Sequence, residues 1–151
     1  MASNNLLVFE VAGRQYAFRA AQAQEVIRAV AIAPLPQASG AVLGFINVRG
    51  TVALVFSLRS CLHLPAKTEV DLADQIIIAN ARRQTIGLAV DSVVGVWEHP
   101  AERSMRVQEI APGAEYRGEI ACRDGEILFI HDLDQLLPWD KDWQIAASRS
   151  V

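Results

Sequence analysis

The chain has 151 residues, and its 14 Lys and Arg against 17 Asp and Glu leave a formal net charge of −3. This length suits one compact domain that buries a hydrophobic core without disulfides or a structural metal, and the negative charge disfavours nucleic acid as a partner. The longest apolar runs contain five residues, whereas a membrane-spanning helix needs about 20. The N-terminus carries no export signal, so the sequence predicts a cytoplasmic protein that does not insert into a membrane.

The first half of the chain predicts short β-strands. Apolar residues 6–11, a turn and residues 16–19 are typical of a β-hairpin. Residues 23–30 carry apolar side chains at helical spacing, but the segment is short, so a strand fits as well as a helix. Residues 42–48 and 51–58 are β-prone runs that meet at a glycine, and the second run continues into one helical turn.

The second half resumes this pattern after a polar, acidic stretch at residues 66–74, which is typical of a connecting loop. Residues 75–79 contain three successive isoleucines and predict a buried strand. Residues 85–97 are apolar apart from Asp91 and the serine after it. Polar residues 98–119, which include prolines and glycines, predict a long irregular loop.

A weak internal repeat organises these elements. Residues 50–62 align without gaps with residues 125–137 at an offset of 75, and the first hairpin resembles a second-half segment at an offset of about 70. Each half would be only marginally stable alone, so the two are expected to share a core. The sequence therefore predicts an all-β domain over residues 1–138, with two β-barrel subdomains whose halves meet near residues 66–74. Residues 139–151 are expected to form a C-terminal tail.

Motifs for enzymatic chemistry are scarce in this sequence. It contains no phosphate-binding glycine loop, no zinc-binding HExxH pair and no GxSxG nucleophile elbow, and no cofactor is expected. Cys61 and Cys122 stand apart, which indicates two reduced, buried thiols. His131, Asp132 and Asp134 leave one alternative open, a small metal-binding protein or enzyme, although Asp132 is better explained as the N-cap of a helical turn.

Polar side chains interrupt the most apolar β-prone run. Asn47 and Arg49 lie within residues 42–52, and Glu25 stands in a similar setting. Each must be satisfied inside the fold or point at a partner, because an unpaired buried polar group costs about 1–3 kcal/mol. A guanidinium suits a directional contact at an interface and equally suits a structural ion pair with a carboxylate of its own fold. The residues alone leave both interpretations open.

Several segments together resemble the CheW-like domain family of chemotaxis coupling proteins. The resemblance covers residues 5–138 in order and with plausible spacing, and it rests on AQEV at residues 23–26, PLP at 34–36, GFINVRG at 44–50, LR at 58–59, GLAVDSV at 87–93 and DLDQLL at 132–137.

The resemblance implies two SH3-like five-stranded β-barrels that share a hydrophobic core, with short helical turns. It also implies a non-enzymatic adaptor between the helical-hairpin tip of chemoreceptors and the regulatory domain of the histidine kinase CheA. The receptor helices are expected in a groove between the barrels, and the kinase domain is expected barrel against barrel. Carried over to this sequence, the partner-contact candidates are Arg49, Glu25, Gly44 and Asn47, of which Asn47 also shapes the turn with Gly50.

The chain departs from the family pattern at a few positions. Ala53 and Ser57 stand where the family favours Pro and Asp, Val48 replaces Leu, and Gly95 occupies the second-half glutamate position. Ser57 removes a carboxylate that could pair with a neighbouring arginine. These departures are compatible with service in an alternative chemosensory array, and the sequence does not separate a coupler from a CheW-like antagonist of kinase assembly.

Overall fold

The computed structural model describes residues 5–28, 32–34, 41–64, 74–98, 104–114, 118–123 and 125–137. The elements in chain order are β1 (Asn5–Val11), β2 (Arg14–Arg19), a 3₁₀ turn (Ala20–Gln22), β3 (Ala23–Arg28), β4 (Val42–Val48), β5 (Thr51–Ser57), α1 (Leu58–Cys61), β6 (Gln75–Ala81), β7 (Gln84–Val90), β8 (Ser92–Glu98), β9 (Ser104–Arg106), α2 (Val107–Ile110), β10 (Glu119–Arg123), β11 (Glu126–Ile130) and α3 (Leu133–Leu136). The predicted all-β class with short helical turns is confirmed.

The described strands form two sheets that share one topology. The five-stranded sheet has the order β3-β6-β7-β5-β4, and the six-stranded sheet has the order β8-β1-β2-β11-β10-β9. Strands at the same position in the two orders come from equivalent segments of the sequence repeat. β9 is an additional strand at the edge of the six-stranded sheet. The two subdomains are therefore present as predicted, but one contains six strands instead of five, and neither hydrogen-bonded ladder closes into a complete barrel.

Each sheet combines strands from both halves of the sequence. β8 pairs with β1, and β3 pairs with β6, so each sheet joins the first hairpin of one repeat to the later strands of the other repeat. The expected division near residues 66–74 lies between β5 and β6, which belong to the same sheet, and residues 65–73 are outside the described ranges. This exchange increases the contact between repeats that would be marginal alone.

Three clusters of buried side chains make up the core of the described part of the chain. The largest contains residues of both sheets, including Phe9 and Phe18 from one sheet and Phe56 and Leu88 from the other. Two smaller clusters each belong to one sheet. The inner strands contribute to two clusters at once, since Leu7 and Phe9 on β1 face the shared cluster while Leu6 and Val8 face the six-stranded sheet's own cluster. The predicted shared core is thus present.

The helical turns α1 and α3 are equivalent parts of the repeat. Each begins after a strand with a capping side chain: Ser57 accepts from the Ser60 backbone N–H, and Asp132 accepts from the Asp134 N–H at 2.9 Å. The next residue in each turn, Leu58 or Leu133, is fully buried in the shared cluster. The predicted N-cap role of Asp132 is confirmed. Within the described ranges, no helix has the length and apolar character needed to cross a membrane.

Three local expectations had different outcomes. Residues 23–28 form a strand, and their burial alternates with a period of two, which resolves the choice between helix and strand. The stretch expected to be irregular, residues 98–119, contains β9 and α2. Cys61 is partly buried, but Cys122 is exposed, so its expected burial is wrong. Its neighbour Ala121 takes the buried face of β10, which leaves Cys122 on the opposite face.

Candidate partner-binding site

The partner-contact candidates lie where the two edges of the five-stranded sheet approach each other. A flat sheet of five strands places its edges about 19 Å apart. Here Ala33, which follows β3 in the sequence, and Phe45 on β4 exchange backbone hydrogen bonds of 2.9 and 2.8 Å. An ion pair between Glu25 on β3 and Arg49 in the β4–β5 turn also links the two edges, so the sheet is curled. We call the line along which β3 and residues 32–34 face β4 the seam.

Arg49 and Glu25 join across the seam. Arg49 lies in the β4–β5 turn with a left-handed backbone (φ 53°), and Glu25 lies on β3. The Arg49 Nη2 and Glu25 Oε2 atoms are 2.9 Å apart, and the side chains are 83% and 28% exposed, respectively. The arginine is therefore satisfied within its own fold and still presents most of its side chain to a partner, so the two interpretations left open by the sequence are compatible.

Gly44 and Asn47 have structural roles in the same place. Gly44 has a φ of +145°, and a Cβ at this position would overlap the carbonyl oxygen of Ala33. A side chain would indeed block an approach, but the approaching segment belongs to this chain. Asn47 Oδ1 accepts a hydrogen bond of 2.8 Å from the Gly50 N–H, which shapes the β4–β5 turn. The structure thus brings all four candidates to the seam.

One further residue beside the seam was not singled out from the sequence. Val52 lies directly opposite Asn47 in the β4–β5 register and is 68% exposed. Opposed residues of neighbouring strands share a face, so this apolar side chain lies beside the exposed candidates. An apolar run gives no indication that one of its valines faces outward, and only the position three residues after the turn arginine could have suggested it.

The candidate metal ligands are already engaged by their own chain. Asp132 caps α3, and Asp134 Oδ1 accepts from the Arg82 backbone N–H at 3.0 Å. His131 lies against the ring of Tyr16, with centroids 5.8 Å apart. Among the described residues, no group of three or more His, Cys, Asp and Glu side chains is placed to hold a metal ion. The metal hypothesis gains no support from this part of the chain.

These residues also border a polar cavity of about 660 Å³ beside β2, β10 and α3. Its lining contains Arg19 and Arg106 but also Glu119, Asp132 and Asp134. Arg19 Nη2 pairs with Glu119 Oε2 at 2.9 Å. The mixture of charges gives the cavity no electrostatic preference for an anion or a cation.

His131 is expected to make stability depend on pH. Burial lowers its pKa from 6.5 to about 4. As pH falls below 6.5, His131 is protonated in the unfolded chain before it is protonated in the folded chain. The contribution of His131 to the free energy of unfolding is therefore greatest above pH 6.5 and decreases as the pH approaches 4. Urea unfolding of a His131→Gln variant should show a weaker decrease over this range. His63→Gln, at an exposed histidine, is the control and should retain the wild-type decrease; equal slopes for all three proteins would contradict the assignment.

Comparison with known proteins identifies the family. The sequence pattern of the CheW-like domain matches residues 5–141. The chain belongs to the CheW-like family. It is 26% identical over 136 residues to the chemotaxis protein CheW of Rhizobium meliloti, covering 88% of this chain and 86% of that protein. It is also 26% identical over 134 residues to the chemotaxis protein CheW of Thermotoga maritima, covering 87% and 86%.

A solved structure supports the fold of this CheW-like chain. The crystal structure of the scaffolding protein TtCheW from Thermoanaerobacter tengcongensis matches with a TM-score of 0.78 and 24% identity, and covers 89% of this chain and 92% of that one. CheW-family proteins are chemotaxis coupling proteins that act as scaffolds.

The departure from the CheW-like pattern at Ser57 has a local explanation. Ser57 caps α1. The nearby Arg59 forms an ion pair with Asp91, which lies between β7 and β8, and the Arg59 Nη2 and Asp91 Oδ2 atoms are 2.7 Å apart. The arginine therefore has an acidic partner although the family's aspartate is missing.

Proposed function

We propose that this chain is a non-enzymatic adaptor that couples methyl-accepting chemoreceptors to a CheA-type histidine kinase. The proposal places it in the cytoplasm, at receptor arrays on the inner membrane. Receptor helices would bind in the groove between the two subdomains, and the regulatory domain of the kinase would bind one subdomain edge. The observation that carries the proposal is the exposed Arg49 held over the seam of a CheW-like fold.

The seam has the chemistry of a protein-binding surface. Glu25 fixes the position of the Arg49 guanidinium, which keeps further donors for a carboxylate or carbonyl of a partner. Val52 adds exposed apolar area beside it. Arginines surrounded by apolar contacts are common among residues that dominate binding energy. A scaffold built on such contacts would act by shifting the populations of kinase conformations, with no chemical step of its own.

Reconstitution tests the proposal directly. The purified chain is mixed with membranes carrying a receptor and with the CheA kinase from the same organism, and co-sedimentation and kinase autophosphorylation are recorded. We expect ternary complexes and stimulated autophosphorylation. Binding with inhibited autophosphorylation would instead identify an antagonist of kinase assembly, and binding to neither partner would overturn the proposal.

An Arg49→Ala variant is expected to lose binding and keep its stability. Exposed ion pairs contribute about 0.2–1 kcal/mol, so the melting temperature should change little, whereas loss of an interface arginine should weaken partner binding about 5–30-fold. Arg83→Ala is a matched control, since Arg83 is an exposed arginine with a left-handed backbone (φ 65°) in another hairpin turn. Unchanged affinity together with a large loss of stability would assign Arg49 to the fold alone.

A further inference from the structure

Among the polar contacts that join the sheets in the described part of the chain, two lie at equivalent places of the repeat. In each, the residue after the buried leucine of a helical turn is linked to a hairpin turn of the other sheet, Asp134 directly and Arg59 through Asp91. Arg59 in α1 follows the five-stranded sheet, and Asp134 in α3 follows the six-stranded sheet. We call these contacts the first and second clasp.

The first clasp is centred on Asp91, between β7 and β8. Its Oδ2 accepts a 2.7 Å hydrogen bond from Arg59 Nη2 and a 2.9 Å hydrogen bond from the backbone N–H of Ala12 in the β1–β2 turn. Its own N–H donates to the carbonyl of Glu10. One carboxylate thus ties α1, at the end of the five-stranded sheet, to a hairpin of the six-stranded sheet.

The second clasp is the counterpart from the other repeat. Asp134 Oδ1 accepts from the Arg82 N–H in the β6–β7 turn, and Arg82 Nη2 donates to the Asp134 carbonyl at 3.2 Å. Ala12 and Arg82 occupy equivalent left-handed positions, with φ of 53° and 48°. A left-handed non-glycine residue costs about 1–2 kcal/mol, so a carboxylate that binds its N–H helps to hold each turn in place.

The two clasps differ in how far their side chains are exposed to solvent. The Arg59 and Asp91 side chains are only 18% and 26% exposed, so their ion pair is poorly screened. The contacts of the second clasp are at the surface. The first clasp is therefore the stronger constraint on how one sheet sits against the other.

We infer that Arg59 and Asp91 are positioning residues that fix the angle between the two subdomains and thereby the width of the groove between them. This inference rests on the proposed function for its consequence. A receptor hairpin that contacts both sides of the groove needs the correct angle, whereas a kinase domain that contacts one subdomain edge does not. Loss of the first clasp should therefore weaken receptor binding selectively.

The test compares Arg59→Gln with Arg19→Gln. Arg19 also forms a partly buried ion pair, with Glu119 at 2.9 Å, but β2 and β10 belong to the same sheet. Spin labels on the exposed Cys122 and on Val52→Cys report the distance between sheets by double electron–electron resonance. Burial raises the pKa of Cys61 to about 12, which disfavours the thiolate and so disfavours labelling of this thiol at neutral pH.

We expect Arg59→Gln to broaden the distance distribution and to lower receptor-fragment affinity about fivefold, with unchanged affinity for the kinase regulatory domain. Arg19→Gln should keep the wild-type distances. Arg59→Lys should restore most of the receptor affinity. If Arg59→Gln does not fold, Asp91→Asn replaces it in the test, because the amide oxygen of the asparagine can still accept the hydrogen bond from the Ala12 N–H.

Two results would overturn the inference. One is a wild-type distance distribution in Arg59→Gln and Asp91→Asn, and the other is equal loss of receptor and kinase binding. If the wild-type chain binds neither partner, the proposed function fails, but the distance measurement still decides whether the first clasp sets the angle.

Discussion

A Leu133→Ala variant is expected to lose about 2–5 kcal/mol of unfolding free energy and to melt roughly 4–20 °C below the wild type. Leu133 is fully buried in the cluster that joins the two sheets, and alanine leaves a cavity that the surrounding strands fill only partly. Leu58→Ala, at the equivalent position of the other repeat, should cost a similar amount. Both values are measured by urea unfolding and by calorimetry.

The same experiment tests whether the core is shared. If one cluster holds both sheets, each leucine variant should shift a single cooperative transition. Ile127→Ala, at a strand residue that is 60% exposed, is the control and should change stability by less than about 0.5 kcal/mol. A second transition that only one of the two leucine variants moves would mean that the subdomains unfold independently.

The sequence predicted the features that depend on local pattern. Strand alternation, the glycine at the β4–β5 turn and the Asp132 cap are local signals, and each lies where expected. The repeat also predicted equivalent structures correctly, since Leu58 and Leu133 occupy matching buried positions. These features could be predicted because a few neighbouring residues determine the geometry of a turn and the face of a strand on which each side chain lies.

The pairing of strands was beyond the reach of the sequence. β3 and β8 carry the same alternating burial in both repeats, so either strand could complete either sheet. Which hairpin each of these strands joins is decided by packing between segments far apart in the chain. The contact between Asp91 and Arg59 is equally long-range, yet one local signal existed: Asp91 is the only acidic residue in the apolar stretch 85–97. A lone carboxylate in such a stretch requires a partner.

The seam shows why the functional interpretation of a residue cannot be separated from its structural one by pattern alone. Arg49 and Glu25 were candidates for partner contact, and they pair with each other. The pair is weak as a stabilising element because it is mostly exposed. Its value lies in fixing the direction of an exposed guanidinium, so the role proposed for Arg49 depends on geometry that spacing in the sequence does not contain.

Gly44→Ala, unlike Arg49→Ala, is expected to destabilise the fold, with a loss of about 2–4 kcal/mol of unfolding free energy. The methyl group would overlap the Ala33 carbonyl oxygen, and the φ of +145° is unfavourable for a side chain. Segment 32–34 would have to move away from β4, which breaks the two backbone hydrogen bonds between Ala33 and Phe45. Urea unfolding measures the loss.

Gly95→Ala separates the two causes of that loss. Gly95 has a similar φ of +156°, but an added Cβ would meet no atom within 4 Å. This control therefore reports the backbone cost alone and should destabilise the chain less than Gly44→Ala. Equal losses at both positions would show that the approach of Ala33 contributes nothing. With the expected difference, weakened partner binding in Gly44→Ala reflects an opened seam, and a direct contact is assigned only to residues such as Arg49 whose removal leaves the fold intact.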